Sequence, residues 1–159
     1  SPLSSQAYLL SGHIGVIDRQ KSFSGSLTWR HLKHQDVVLI LSPLGQGVAR
    51  IVRNDKAVVL ETADGKKWVS GSARALTQRI LGWPLPIKGL HYWVMGQPAP
   101  GQALTRLNQA GQLVHLEQEG WIVDYSGYSQ QGQVMLPSRL ILKGPEVKVK
   151  LIIDRWAPA

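Results

Sequence analysis

Apolar and polar residues alternate along most of this chain, and the alternation is broken once, by a stretch of helical period between Ser72 and Gly96. Alternation puts every second side chain on the same face of a strand, so a chain patterned this way builds sheet with one buried face. Ile14 and Val16 share a face, as do Phe23, Gly25, Leu27 and Trp29, with Ser24, Ser26, Thr28 and Arg30 opposite. Near the end, Val147, Val149, Leu151 and Ile153 face one way, and Lys148, Lys150 and Ile152 the other. Polar turns separate the runs at residues 18–21, 31–35, 54–56, 64–65, 108–111, 119–120 and 130–132. Short turns of this kind join antiparallel neighbours. One run, Val37-Val38-Leu39-Ile40-Leu41, is apolar throughout, the pattern of a strand covered on both faces. Counting runs predicts about eleven strands, and that many consecutive antiparallel strands curl or close to remove their edges.

The helical stretch carries its own punctuation. Ser72 is a good N-cap, Leu76 and Ile80 fall on one face of Ala73–Leu81, and Gly82 is a natural stop. Pro84 and Pro86 bar continuation, and Pro86 suits the first turn of a second helix, in which Leu90 and Trp93 or Val94 share a face. These helices are expected over one opening of the sheet or inside it. A second exceptional segment follows the apolar run: Ser42-Pro43-Leu44-Gly45. Leu44 sits at a turn with no strand face to hide in. It either folds back onto the core or stands out toward a membrane or partner.

Composition narrows the chemistry. Length, 159 residues, suits one domain with one core. The net charge of +8 invites a nucleic-acid reading, but the 18 Lys and Arg are scattered, and only Lys66 and Lys67 are adjacent. Nucleic acid is therefore not expected; an anionic lipid surface or an acidic protein fits such a charge better. With no cysteine there is no disulfide, thiol nucleophile or cysteine metal site. His31 and His34 form one possible metal pair, disfavoured by the adjacent Arg30 and Lys33. Gly45-Gln46-Gly47 opens a strand rather than a helix and is no dinucleotide fingerprint. Neither an enzyme nor a cofactor is expected. Six Trp against one Phe point instead to bulky rings that either fill a core or wall an apolar pocket.

The order and spacing of several short motifs resemble the LolB family of outer-membrane lipoprotein receptors. They are Leu27-Thr28-Trp29, Leu41-Ser42-Pro43-Leu44-Gly45, Leu81-Gly82-Trp83-Pro84-Leu85-Pro86, the stretch from Leu90 to Pro98, the stretch from Gln118 to Tyr125, Leu136-Pro137, and Ile153-Asp154-Arg155-Trp156. The resemblance covers nearly the whole chain. It implies a mainly β fold: a half-open antiparallel β-barrel of about eleven strands, with a helical lid over a hydrophobic cavity. It also implies a monomer that accepts acylated lipoproteins from a LolA-like periplasmic carrier and inserts them into the outer membrane. In that family the Pro-Leu-Gly loop protrudes and its leucine serves delivery, which assigns membrane insertion to Pro43, Leu44 and Gly45. From alternation, the acyl-chain cavity is expected to draw on Ile14, Val16, Leu27, Trp29, Leu39, Ile80, Trp83, Leu85, Leu90, Trp93, Trp121, Val123 and Leu140.

Family members are held at the periplasmic face of the outer membrane by an acylated N-terminal cysteine. No cysteine is present and the chain starts at Ser1. The expectation is a single domain over residues 1–159 that lacks its anchor region and is soluble in this shortened form. The competing readings are a LolA-like carrier or general lipid-binding barrel that never engages a membrane, a structural barrel with a filled core, and, last, a lipid-acting enzyme.

Overall fold

The computed structural model describes residues 7–19 and 21–159. The loose lead-in expected at residues 1–6, and Gln20 of the first turn, lie outside the described residues. The chain runs β1 (Tyr8–Asp18), β2 (Ser22–Leu32), β3 (Gln35–Leu41), β4 (Gly47–Asn54), β5 (Val58–Thr62) and β6 (Lys67–Ser70). Two helices follow, α1 (Ala73–Leu81) and α2 (Ile87–Trp93). The second group of strands is β7 (Leu104–Leu107), β8 (Leu113–Gln118), β9 (Trp121–Gln131), β10 (Val134–Gly144) and β11 (Val147–Pro158).

All eleven strands form one antiparallel sheet in the order β6-β5-β4-β3-β2-β1-β11-β10-β9-β8-β7. Every neighbour but one is joined by a hairpin; the exception pairs β1 with β11 and closes the middle of the sheet. The helices connect the two extreme edges, β6 and β7, which do not pair with each other. That connection has to cross the sheet, so α1 and α2 lie in the hollow of the curled sheet, with α1 against β5 and β6. Both edge strands are only four residues long, which limits the row of unpaired backbone groups they present. The result is the half-open barrel expected from the sequence.

Curvature has local causes. The register of β1 against β11 slips between Ser11 and Gly12, and that of β9 against β10 slips near Pro137 and Arg139. Such bulges bend a strand and increase its twist. At Gly12 a Cβ would sit 1.8 Å from the carbonyl oxygen of Ile152, so only glycine lets the two central strands approach this closely.

The helix signals hold at both ends of α1. Ser72 caps α1 by accepting from the Ala75 N–H, and Gly82 ends it at φ 88°. Thr77 was not singled out by the periodicity, yet it is buried and ties α1 to the segment that leads into α2. Its hydroxyl donates to the Ala73 carbonyl and accepts from the Leu85 N–H, each at 2.8 Å. Ala73, Leu76 and Thr77 are the buried positions of α1, while Ile80 is only half-buried. Pro86 stands one place earlier than expected, at the N-cap of α2 rather than inside its first turn.

One strand reading needs correction. The continuous apolar run of β3 does not have two covered faces. Val38 and Ile40 point inward and are fully buried, but Leu39 is on the outer face and 37% exposed. The sheet is a single layer with helices on its concave side only, so the outer face of β3 meets solvent.

Candidate functional site

Leu44 is held away from the core by the geometry of the β3–β4 turn. Gly45 N–H donates to the Ser42 carbonyl at 2.8 Å, and Ser42 N–H donates to the Gln46 carbonyl at 2.7 Å. The Ser42 hydroxyl accepts from the Gln46 N–H at 3.2 Å. Pro43 presets the first central position, and Gly45 supplies φ 83°, which a side-chain-bearing residue adopts only under strain. Leu44 is consequently 88% exposed, the most exposed large apolar side chain among the described residues. Of the two placements left open by the sequence, Leu44 takes the exposed one rather than folding back onto the core.

The concave face is filled. Ile14, Val16, Leu27, Trp29, Trp121, Val123 and Leu140 project inward from the strands, and Trp83, Leu85, Leu90 and Trp93 meet them from the helical segment. All of these are buried in one cluster; Ile80 packs at its margin, and Leu39 stands outside it on the opposite face. Trp29, Leu85, Leu90, Trp93, Val123 and Leu140 touch no space large enough for water. Trp83 also stacks on Phe23, with centroids 6.2 Å apart.

Polar groups that the sequence did not flag hold α2 in this hollow. Tyr8 of β1 donates to the His91 carbonyl at 2.9 Å, and Tyr125 of β9 donates to the Trp93 carbonyl at 2.6 Å. The carbonyls at the end of a helix lack intrahelical partners; here β1 and β9 each supply a donor to one of them, alongside the turn N–H groups of Met95 and Gly96. Burial raises both phenols above their ordinary pKa, so both keep the proton they donate. Gln118 of β8 accepts from Trp93 Nε1 at 2.8 Å and from the Ala99 N–H at 2.9 Å, and returns an N–H to the Ala99 carbonyl. It fastens both α2 and the loop after it.

A second polar cluster adjoins Tyr8, whose ring stacks on His31 at 4.9 Å. Asp36 is fully buried and sits opposite His31 in β2 and Arg53 in β4. Its carboxylate accepts from Trp29 Nε1 at 2.9 Å and Arg53 Nε at 2.8 Å, and lies 2.6 Å from His31 Nδ1. Burial alone would raise its pKa, but these hydrogen bonds prevail and hold the carboxyl below the usual range. His91 of α2 stacks on His31, and burial, reinforced by that neighbour, pushes His91 down to about 4. His34, the other member of the possible metal pair, turns to Asp55 instead at 2.8 Å, so the two histidines serve different carboxylates.

This cluster borders a cleft of about 730 Å³ between α2 and the ends of β2 and β4. Lys33, Arg53 and Lys88 line it, with Asp55 and Glu119 opposing them. The cleft gathers cations that are scattered in the sequence.

The profile of outer membrane lipoprotein LolB matches residues 6–156. The chain belongs to the LolB family. The outer-membrane lipoprotein LolB of Nitrosomonas europaea is 35% identical over 157 residues, covering 97% of this chain and 74% of that protein. The LolB of Pseudomonas fluorescens is 40% identical over 152 residues, covering 94% and 73%. Among solved structures, a DUF1329 family protein from Desulfovibrio piger superposes with a TM-score of 0.67 at 9% identity, over 97% of this chain and 86% of that one. A domain named as an outer membrane lipoprotein-sorting protein from Vibrio parahaemolyticus gives 0.60 at 10% identity, over 96% and 85%. At these identities the likeness is one of fold. LolB is a family of outer-membrane lipoproteins and not of enzymes, in line with the expectation from the sequence.

Proposed function

We propose that this LolB protein takes acylated lipoproteins from a periplasmic carrier into its concave interior and releases them into the outer membrane. The observation that carries the reading is Leu44: an apolar side chain 88% exposed on a hydrogen-bonded hairpin tip, where folding gains nothing from it. Such a residue is spent on an apolar surface outside the protein.

The energetics favour a cavity-to-cavity route. At about 0.8 kcal/mol per buried CH₂, three acyl chains of roughly a dozen methylenes amount to about 30 kcal/mol of apolar hydration. Free passage through water is closed to such a cargo. The acceptor interior is the hollow now filled by Leu85, Leu90 and Trp93, and acyl chains enter it by displacing the helical segment. That segment is tied down by a few hydrogen bonds, from Tyr8, Tyr125 and Gln118, rather than by continuous sheet pairing. The cations of the cleft beside α2 then meet an acidic rim on the carrier, and transfer slows as salt rises.

A carrier that never engages a membrane is the second reading. Leu44 argues against it, since a membrane-seeking tip hinders departure from the membrane. The test is transfer from a loaded carrier followed by capture of the acylated cargo. Cargo should move to this chain, and a deacylated form should not. No transfer to the folded protein overturns the receptor reading.

A further inference from the structure

Three buried indoles of the interior have acceptors for their N–H groups: Trp29 donates to Asp36, Trp93 to Gln118 and Trp156 to the Pro137 carbonyl. Trp121 is different. It is 1% exposed, and its Nε1 is the one buried side-chain nitrogen or oxygen without a hydrogen-bond partner among the described residues. Buried donors are nearly always satisfied, so an orphan in an otherwise well-paired interior leaves room for an acceptor from outside the chain.

The setting of the ring is specific. Trp121 is the first residue of β9, and its six-membered edge packs on Gly144 at the end of β10, where a Cβ would lie 3.0 Å from Cζ3. The opposite edge, which carries Nε1, faces away from β10. The Arg74 guanidinium of α1 lies over the ring, 5.7 Å from its centroid. Three clefts converge here: about 390 Å³ toward Arg53 and Lys88, about 370 Å³ beneath Arg74 and Pro84, and a shallow one along Leu104 and Ile122. Trp121 therefore stands at the seam between the helical cover and the far wing of the sheet. Val123 and Tyr125 continue the same inward face below it.

Resting on the receptor reading above, we infer that Trp121 reads a diacylglyceryl ester carbonyl, with its N–H donating to that oxygen and Arg74 holding the ring in place. A neutral carbonyl suits this donor: the indole N–H is uncharged and buried, and Asp55 and Glu119 stand among the cations Arg53, Lys56 and Lys88 of one neighbouring cleft. The ester lies where the chains enter, and the methylenes beyond it pass toward Val123. Displacement of the helical segment, which carries Arg74 over the ring, opens the N–H to the cargo. The acceptor gained in the loaded state offsets the desolvation left in the empty one.

The experiment compares a synthetic dipalmitoylglyceryl-cysteinyl peptide with its dialkyl ether counterpart, which has the same chains and no ester carbonyls. Wild type should bind the ester form about fivefold more tightly, the worth of one hydrogen bond in a buried setting. Trp121→Phe should bring the two within about twofold. In wild type alone, one indole N–H resonance should move further downfield with the ester than with the ether, a readout independent of how the variant folds. Equal binding of both by wild type, or a preference kept in Trp121→Phe, overturns the inference and leaves the receptor reading intact. Binding of neither overturns both. The same ester preference shown equally by a dipalmitoyl phospholipid supports ester recognition and assigns it to membrane lipid as well as to lipopeptide.

Discussion

His91 of α2 and His31 of β2 lie face to face, with ring centroids 4.7 Å apart and planes 16° from parallel. The pair joins the helical cover to the sheet, and Asp36 and Arg53 stand behind His31 while Tyr92 packs against His91. Burial and His31 depress the pKa of His91 from 6.5 to about 4, so the folded protein keeps this ring neutral where the unfolded chain protonates it. Stability therefore falls as pH drops from 6.5 toward about 4. His115 acts in the opposite sense. Its hydrogen bonds to Glu117 and Asp124 raise its pKa, so its contribution is present below 6.5 and is lost as pH rises through the raised value. Urea midpoints measured across this window should decline with acidification in wild type, and His91→Gln should flatten that decline. An unchanged slope in the variant would place the titration elsewhere.

Asp36→Asn is expected to be costly, because it removes the carboxylate that neutralises Arg53 in a buried setting. Breaking one partner out of a buried pair costs roughly 3–5 kcal/mol. Arg53 is 19% exposed, so water recovers part of this, and about 2–3 kcal/mol is expected. The depressed pKa adds a check on sign. The stabilisation is present above the normal carboxylate value of 3.8 and is lost as pH falls through the lowered one, so the gap between wild type and variant should close in strong acid.

Gln118→Leu tests the clamp on α2 and the loop behind it. The change orphans Trp93 Nε1 and both backbone groups of Ala99 while keeping the apolar bulk. At roughly 1–3 kcal/mol for a stranded buried group, partly relieved by relaxation, a loss of about 3 kcal/mol is expected from chemical denaturation. A loss under about 0.5 kcal/mol, the range of ordinary surface changes, would show that the clamp is dispensable.

Leu44→Glu should leave folding almost untouched, within about 0.5 kcal/mol, because the side chain has no core contacts to lose. Vesicle association should drop by about tenfold or more, as burying one leucine is worth roughly 1.5–3 kcal/mol. Under the proposed function the variant still accepts cargo from the carrier but fails to release it into membrane. Equal loss of acceptance and delivery would make Leu44 a part of the carrier-binding surface instead.

Much of this architecture is written in local pattern. The caps at Ser72 and Gly82 are readable because a helix end is decided by a few adjacent residues. The turns are readable because Gly and Pro restrict backbone angles whatever surrounds them, and Leu44 was suspect because Pro43 and Gly45 deny it a strand. Alternation also identified which residues of β1, β2 and β11 share a face.

Periodicity says on which side of a strand a residue lies, but not what stands opposite. Leu39 was misplaced for that reason: a run of apolar residues reads alike whether one layer or two will cover it. The meeting of His31, Asp36 and Arg53 depends on the register of three strands, and that of Tyr8 and Tyr125 with α2 on two wings of a curled sheet. The isolation of the Trp121 N–H is likewise invisible until every neighbour is in place. The strands, the helices and the turn at residues 42–45 follow from local pattern, and the family from the order and spacing of short motifs. Which polar groups hold the helical cover, and which donor is left unpaired, emerge on folding alone, because both follow from contacts between segments far apart in the chain, whose distances no local pattern encodes.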